Sequence, residues 1–93
     1  MAIKTIAVWL KIDEERLVEA LHEAGEELNS VRGEVALDFS SVNRVDASAV
    51  QAMERFAVLA DDKRVKVVLR GVNVGVYKVL KLAKLGSRFS FVS

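Results

Sequence analysis

Apolar residues fall along this chain in two rhythms. Short runs rich in β-branched residues or alternating at every second position read as strands, and longer stretches that repeat every three and four residues read as helices with one buried face. In residues 3 to 10, Ile6, Val8 and Leu10 alternate with Ala7 and Trp9, which predicts a first strand at a sheet edge. Asp13 stands where a helix N-cap belongs, and Glu14 and Glu15 suit the positive end of the dipole. Leu17, Ala20, Leu21, Ala24 and Leu28 then recur at helical spacing, with an end expected between residues 29 and 32.

The next run, EVALDF at residues 34 to 39, lies between Gly33 and the Ser40-Ser41 pair and has the apolar density of a buried strand. A second helix is expected from within DASA to about Asp62. Val50, Met53, Ala57 and Ala60 form its inner stripe, widened by Ala49, Phe56 and Leu59, with Gln51, Glu54, Arg55 and Asp61 outward. VKVVLR, residues 65 to 70, is another buried strand. Gly71 turns the chain and Asn73 is a plausible N-cap. Val76, Val79, Leu80 and Ala83 give a third helix its inward face, Lys78, Lys81 and Lys84 its outward one, and Gly86 is placed to stop it. Residues 88 to 92, RFSFV, make a last strand.

Strands alternating with helices define an α/β domain, expected as a mixed four-stranded sheet with a largely parallel core and three helices packed on it. Residues 1 to 93 read as one domain. Ligands of such sheets gather beyond the carboxyl ends of the strands, which directs attention to the loop of residues 40 to 49.

Composition narrows the chemistry. Ninety-three residues with 52% hydrophobic content suit one core. The absence of cysteine excludes disulfides and thiolate metal sites, and a lone His22 cannot build a zinc centre. The expected setting is the cytoplasm, because the first residues show neither a signal peptide nor the ~20 apolar residues of a membrane span. A net charge of +1 gives no reason to expect nucleic acid, but the charges are segregated. Acids dominate from Asp13 to Glu34, whereas every charge from Lys63 onward is positive. Solvated helix faces account for this pattern better than a dedicated anion site.

In VNRVDASAVQAM, residues 42 to 53, Asp46 can cap the second helix and Ser48 falls in its first turn. A phosphate on Ser48 would meet unpaired N–H groups and the positive dipole end, with Arg44 nearby. Hydrolysis would need a base beside Ser48, and the only histidine lies on another helix among glutamates. Asp38 and Asp46 alone are too few ligands for a cation. GVNVG, residues 71 to 75, lacks the pattern of a phosphate-binding loop. Tyr77 and the lysines of the third helix could contact phosphates or lipid headgroups, although a solvated amphipathic helix explains them better. An exposed Trp9 on an edge strand would mark a partner surface, and one covered by the first helix would be part of the core.

VALDFSSVNRVDASAVQAM followed by VKVVLRGVNVGVYKVLKLAKLGSRFSFV resembles the STAS domain of bacterial anti-sigma factor antagonists. That family has an apolar strand ending in Asp, a short loop, Asp-Ser-Ser/Thr-Gly opening a helix, another strand, and a helix ending in Leu-Gly. Asp38 matches the strand-end acid, Asp46 the loop acid, and Ser48 the hydroxyl residue that partner kinases phosphorylate. Ala47 stands for the first hydroxyl and Ala49 for the glycine, while Lys11-Ile12-Asp13 falls where the family has Gly-Glu-Leu-Asp.

The resemblance implies a binding module without cofactor, metal, catalysis or membrane insertion. It implies a GHKL-type kinase/anti-sigma factor as partner, contacted through Asp13, Asp38, Ser40, Ser41, Arg44, Asp46, Ala47, Ser48 and Ala49, with phosphorylation at Ser48 as the switch. The stretch LRGVNVGVYKVLKLAKL is also similar to the small STAS subunit of bacterial lipid-transport ABC complexes. In that alternative, the partner is the transporter ATPase subunit and no phosphate is involved.

Overall fold

The computed structural model describes residues 6–31 and 33–92, with the backbone alone for residues 6–9. In chain order the elements are β1 (Ile6–Lys11), α1 (Leu17–Glu27), β2 (Gly33–Asp38), α2 (Ala47–Lys63), β3 (Lys66–Arg70), α3 (Val74–Leu82) and β4 (Ser90–Val92). Single 3-10 turns at Glu14–Arg16 and Leu28–Ser30 flank α1. The part of the expected first strand before Ile6 lies outside the described residues.

The strands stand in the order β1-β2-β3-β4, and all three pairings are parallel. The sheet is therefore not mixed: each helix carries the chain back over the sheet, so β4 enters in the same direction as the rest. Successive right-handed crossovers that advance one way put every helix on one face. The packing agrees, because Val35, Leu37, Val67 and Leu69 share one core with Leu21, Phe56, Val76 and Leu80 of the three helices. Ala36 and Val68, pointing the other way, are buried but lie outside that core.

An unreversed strand order also means that no crevice opens between neighbouring crossovers, the usual pocket of doubly wound sheets. The carboxyl edge is instead a continuous rim of three loops. Backbone bonds carry the ladder into it: Ile12 N–H donates to Asp38 O at 2.9 Å and Phe39 N–H to Arg70 O at 2.7 Å.

Two of the three helices, α2 and α3, end on a left-handed residue other than glycine, whereas α1 runs on into the 3-10 turn at Leu28–Ser30. Arg64 (φ 58°) closes α2, with Val65 N–H returning to Ala60 O at 2.9 Å. Lys84 (φ 64°) follows α3, with Leu85 N–H returning to Leu80 O at 2.8 Å. The expected stop at Gly86 is thus two residues late. Burial of Leu85 at 4% exposure fixes the turn one residue earlier, and the recovered carbonyl bond offsets the about 1 kcal/mol that a side chain costs in this conformation.

Candidate functional site

The rim is assembled from local caps first. Asp13 accepts from Glu15 N–H at 3.2 Å, Asp38 from Ser40 N–H at 2.9 Å, and Asp46 from Ala49 N–H at 2.9 Å. Each acid thus satisfies a donor that its own loop would otherwise leave to water. Ser40, through its hydroxyl and its backbone N–H, holds the Asp38 carboxyl below its usual range, with smaller help from Lys11 and Arg70 against the cost of burial. The cap expected at Asp46 is present, so α2 begins at Ala47 and Ser48 takes its second position.

Long-range bonds then fix the loop between β2 and α2. A single Glu14 carboxylate oxygen accepts from Asn43 N–H and from Arg44 N–H, the latter at 3.1 Å. From the other side the Asn73 amide donates to Asn43 O at 3.0 Å and to Val42 O at 3.4 Å. The same Asn73 accepts from Val76 N–H at 2.7 Å and so caps α3. Two successive peptide units are gripped through both their N–H and their C=O. Gly71, at φ 75°, completes the support: a Cβ there would lie 3.0 Å from Ser40 Cβ and 3.1 Å from Ser40 Cα.

Of the nine positions singled out, Asp13, Ser40, Ser41, Arg44, Asp46, Ala47 and Ser48 are exposed and Asp38 is half-buried. Ala49 is 5% exposed and belongs to the core. It offers a partner almost no surface, because the third position of α2 turns inward beneath the Asp46 cap. The Ala49 methyl consequently lies in the core and not on the rim surface. Beside these residues a shallow hollow is lined by Glu15, Leu17, Arg44, Val45 and Asp46. Arg44 makes no ion pair among the described residues.

The local pattern marks Glu14 only as a complement to a helix dipole and Asn73 only as a cap. Their second roles join loops that lie far apart in the chain. One signal was present in Asn73, whose amide keeps two donors free while its oxygen caps, unlike Asp or Ser.

His22 lies on α1, exposed, with Nε2 3.9 Å from Glu26, and no hydrogen bond reaches the Ser48 hydroxyl among the described residues. No group of three potential metal-binding His, Cys, Asp or Glu residues occurs among them either. Among the described residues no helix is long and apolar enough to cross a membrane. Trp9 pairs through its backbone with Ala36 in edge strand β1, and its side chain lies outside the described residues.

A parallel four-stranded sheet, helices on one face and a capped Asp-Ala-Ser turn at the carboxyl rim together define a class of small α/β domain. The family model described as Mlab, STAS domain, matches residues 12–92, and the chain belongs to the STAS domain family. No curated protein matches in sequence. Among solved structures, the chain is similar to TM1081 from Thermotoga maritima, a candidate anti-sigma factor antagonist. Its crystal structure superposes with a TM-score of 0.75 at 18% identity, over 97% of this chain and 83% of that one. A solution NMR structure of TM1081 gives a TM-score of 0.77 at 20% identity, over 99% and 78%. At such identities the likeness is one of fold.

Proposed function

We propose that this protein is a non-catalytic binding module that engages a protein partner through the rim around Asp46 and Ser48, and that phosphorylation of Ser48 releases the partner. The observation that carries this reading is the placement of Ser48. It is exposed at the second position of α2, beside an Asp46 already committed to Ala49 N–H, just after a loop clamped by Glu14 and Asn73. A rigid, solvent-facing hydroxyl is what a kinase needs to reach and what a partner can cover.

The chemistry of the switch is local. A phosphate adds about −1.5 to −2 charges to a rim that already holds Asp13, Glu14, Asp38 and Asp46. The first-turn N–H groups of Ala47 and Ser48 and the Arg44 guanidinium can hold it without refolding. An acidic partner face packed there is repelled. The family resemblance supports a kinase/anti-sigma class of partner, and the description of TM1081 as a candidate anti-sigma factor antagonist is consistent with it. Incubation with such a kinase and ATP, followed by mass spectrometry, should place one phosphate on Ser48; modification elsewhere or none contradicts the switch.

A second reading has its own support. The matching family model carries the Mlab description, and Ala47 puts an exposed methyl where a hydroxyl would stand. These favour a permanent subunit of a lipid-transport ABC complex, in which the same rim seats against the ATPase subunit unphosphorylated. A stable complex with such an ATPase, unchanged by kinase and ATP, would select this reading.

A further inference from the structure

The segregation of charge along the chain acquires a geometry in the fold. Between α1 and α2 runs an apolar groove whose walls include Val18 and Leu59, 43% and 42% exposed, above a floor formed by Leu21 and Phe56. Gly25 leaves the groove open, since a Cβ there would lie 3.2 Å from Leu59 Cδ1. Glycine inside a helix costs about 1 kcal/mol relative to alanine. The rim of the groove is acidic, with exposed Glu19, Glu23 and Glu26 against Arg55 and His22, whose Nε2 lies 3.9 Å from Glu26. Arg16 meets Glu19 at 3.6 Å, but both are largely exposed and water weakens that pairing.

The outer face of α3 is the complement. Val74, Lys78 and Leu82 recur every four residues on one stripe, with Tyr77 and Lys81 beside them. Leu82 is 85% exposed and Val74 69%, and no acid occurs from Lys63 to the end of the chain. An apolar, basic helix face about 12 Å long thus matches an apolar, acid-rimmed groove whose glutamates span about 10 Å of α1. The two surfaces cannot meet within one molecule. Crossovers in the order β1-β2-β3-β4 set α1, α2 and α3 side by side, so α2 stands between the groove and α3.

We propose that the α1–α2 groove of one copy of this chain receives the α3 face of a second copy, with Leu82 seated over Gly25 and Lys78 and Lys81 facing Glu19 and Glu23. The contact is heterologous, so each copy keeps one free groove and one free helix face and the assembly can extend. One helical face buries less than the about 800 Å² per partner of a standard stable interface. The association is accordingly weak and weakened further by salt. It is independent of the Ser48 rim.

Sedimentation velocity over a concentration series is the test. The wild-type chain should grow from monomer to dimer and beyond as concentration rises at low ionic strength, and return to monomer in about 1 M salt, where screening reaches ~3 Å. Leu82→Asp removes the helix face. Leu59→Arg blocks the groove, and Glu23→Lys, at a fully surface position, does so without touching packing. Each variant should keep the wild-type circular dichroism spectrum and sediment as a monomer.

Mixing Leu82→Asp with Glu23→Lys should restore a complex that stops at the dimer, because each partner supplies the half that the other lacks. A wild type that stays monomeric at every concentration overturns the proposal. So does self-association that survives Leu82→Asp, or a mixture that fails to pair. A monomeric wild type whose groove instead captures a synthetic basic amphipathic peptide would also overturn it, in favour of a foreign helix.

Discussion

Glu14 and Asn73 hold the same two peptide units of the β2–α2 loop from opposite sides, the carboxylate taking the N–H groups of Asn43 and Arg44 and the amide donating to the carbonyls of Val42 and Asn43. Three loops at the carboxyl rim are thereby tied into one body. The exposed turn that presents Ser48 owes its rigidity to residues that never touch Ser48.

Asn73 has two separable duties. Asn73→Asp keeps the oxygen that caps α3 and loses the donors to the loop, so chemical denaturation should show a loss of about 1 kcal/mol. Asn73→Ala loses both functions and should cost about 2–3 kcal/mol. Equal losses in the two variants would mean that the bridge to Asn43 contributes nothing.

Removing Glu14 should loosen the loop more than the fold. In Glu14→Ala the Asn43 and Arg44 amides lose their acceptor, and native-state hydrogen exchange at these two sites should accelerate by about tenfold or more. Amides of β2 and β3 should keep their wild-type protection. The measurement is exchange read by NMR, residue by residue.

Gly71 combines a left-handed backbone with contact to the Ser40 main chain. Gly71→Ala should destabilise by about 1–3 kcal/mol through both the strained φ and the displaced Ser40 turn. A thermal melt unchanged from wild type would show that the Ser40 turn yields freely.

In the folded protein the Ser40 hydroxyl and N–H hold the Asp38 carboxyl below its ordinary value of 3.8. Between the folded and unfolded values the unfolded chain binds the extra proton, so stability rises with pH across that window. The contribution is complete above the unfolded value and is lost as pH falls below 3.8 through the folded value. Asp38→Asn should therefore be less stable than wild type at neutral pH and converge with it in strong acid. Parallel stability curves down to the lowest pH would contradict the role given to Ser40.

The elements themselves were legible because each obeys one period. Val35, Leu37, Val67 and Leu69 alternate, Leu17, Leu21, Ala24 and Leu28 repeat helically, and the caps at Asp13, Asp46 and Asn73 bond within three residues. Periodicity could not settle marginal positions. Leu59 reads as inward yet is 42% exposed, because Gly25 opposite offers no side chain to cover it, while Ala52 is buried and was not singled out. The parallel direction of β4 and the stop at Lys84 depend on packing beyond the local pattern. Of the site, Asp46 and Ser48 could be read from a twelve-residue stretch. The Glu14 and Asn73 clamp could not, since its bonds join residues 29 to 31 positions apart.

The central claim is that Ser48 lies in the partner contact and that charge there controls it. Titration calorimetry of a GHKL-type kinase/anti-sigma partner against wild type, Ser48→Ala and Ser48→Asp tests it most directly. Ser48→Ala should bind within a few-fold of wild type, and Ser48→Asp should lose at least about a hundredfold in affinity, roughly 2.7 kcal/mol. Equal affinity for all three proteins would contradict the account.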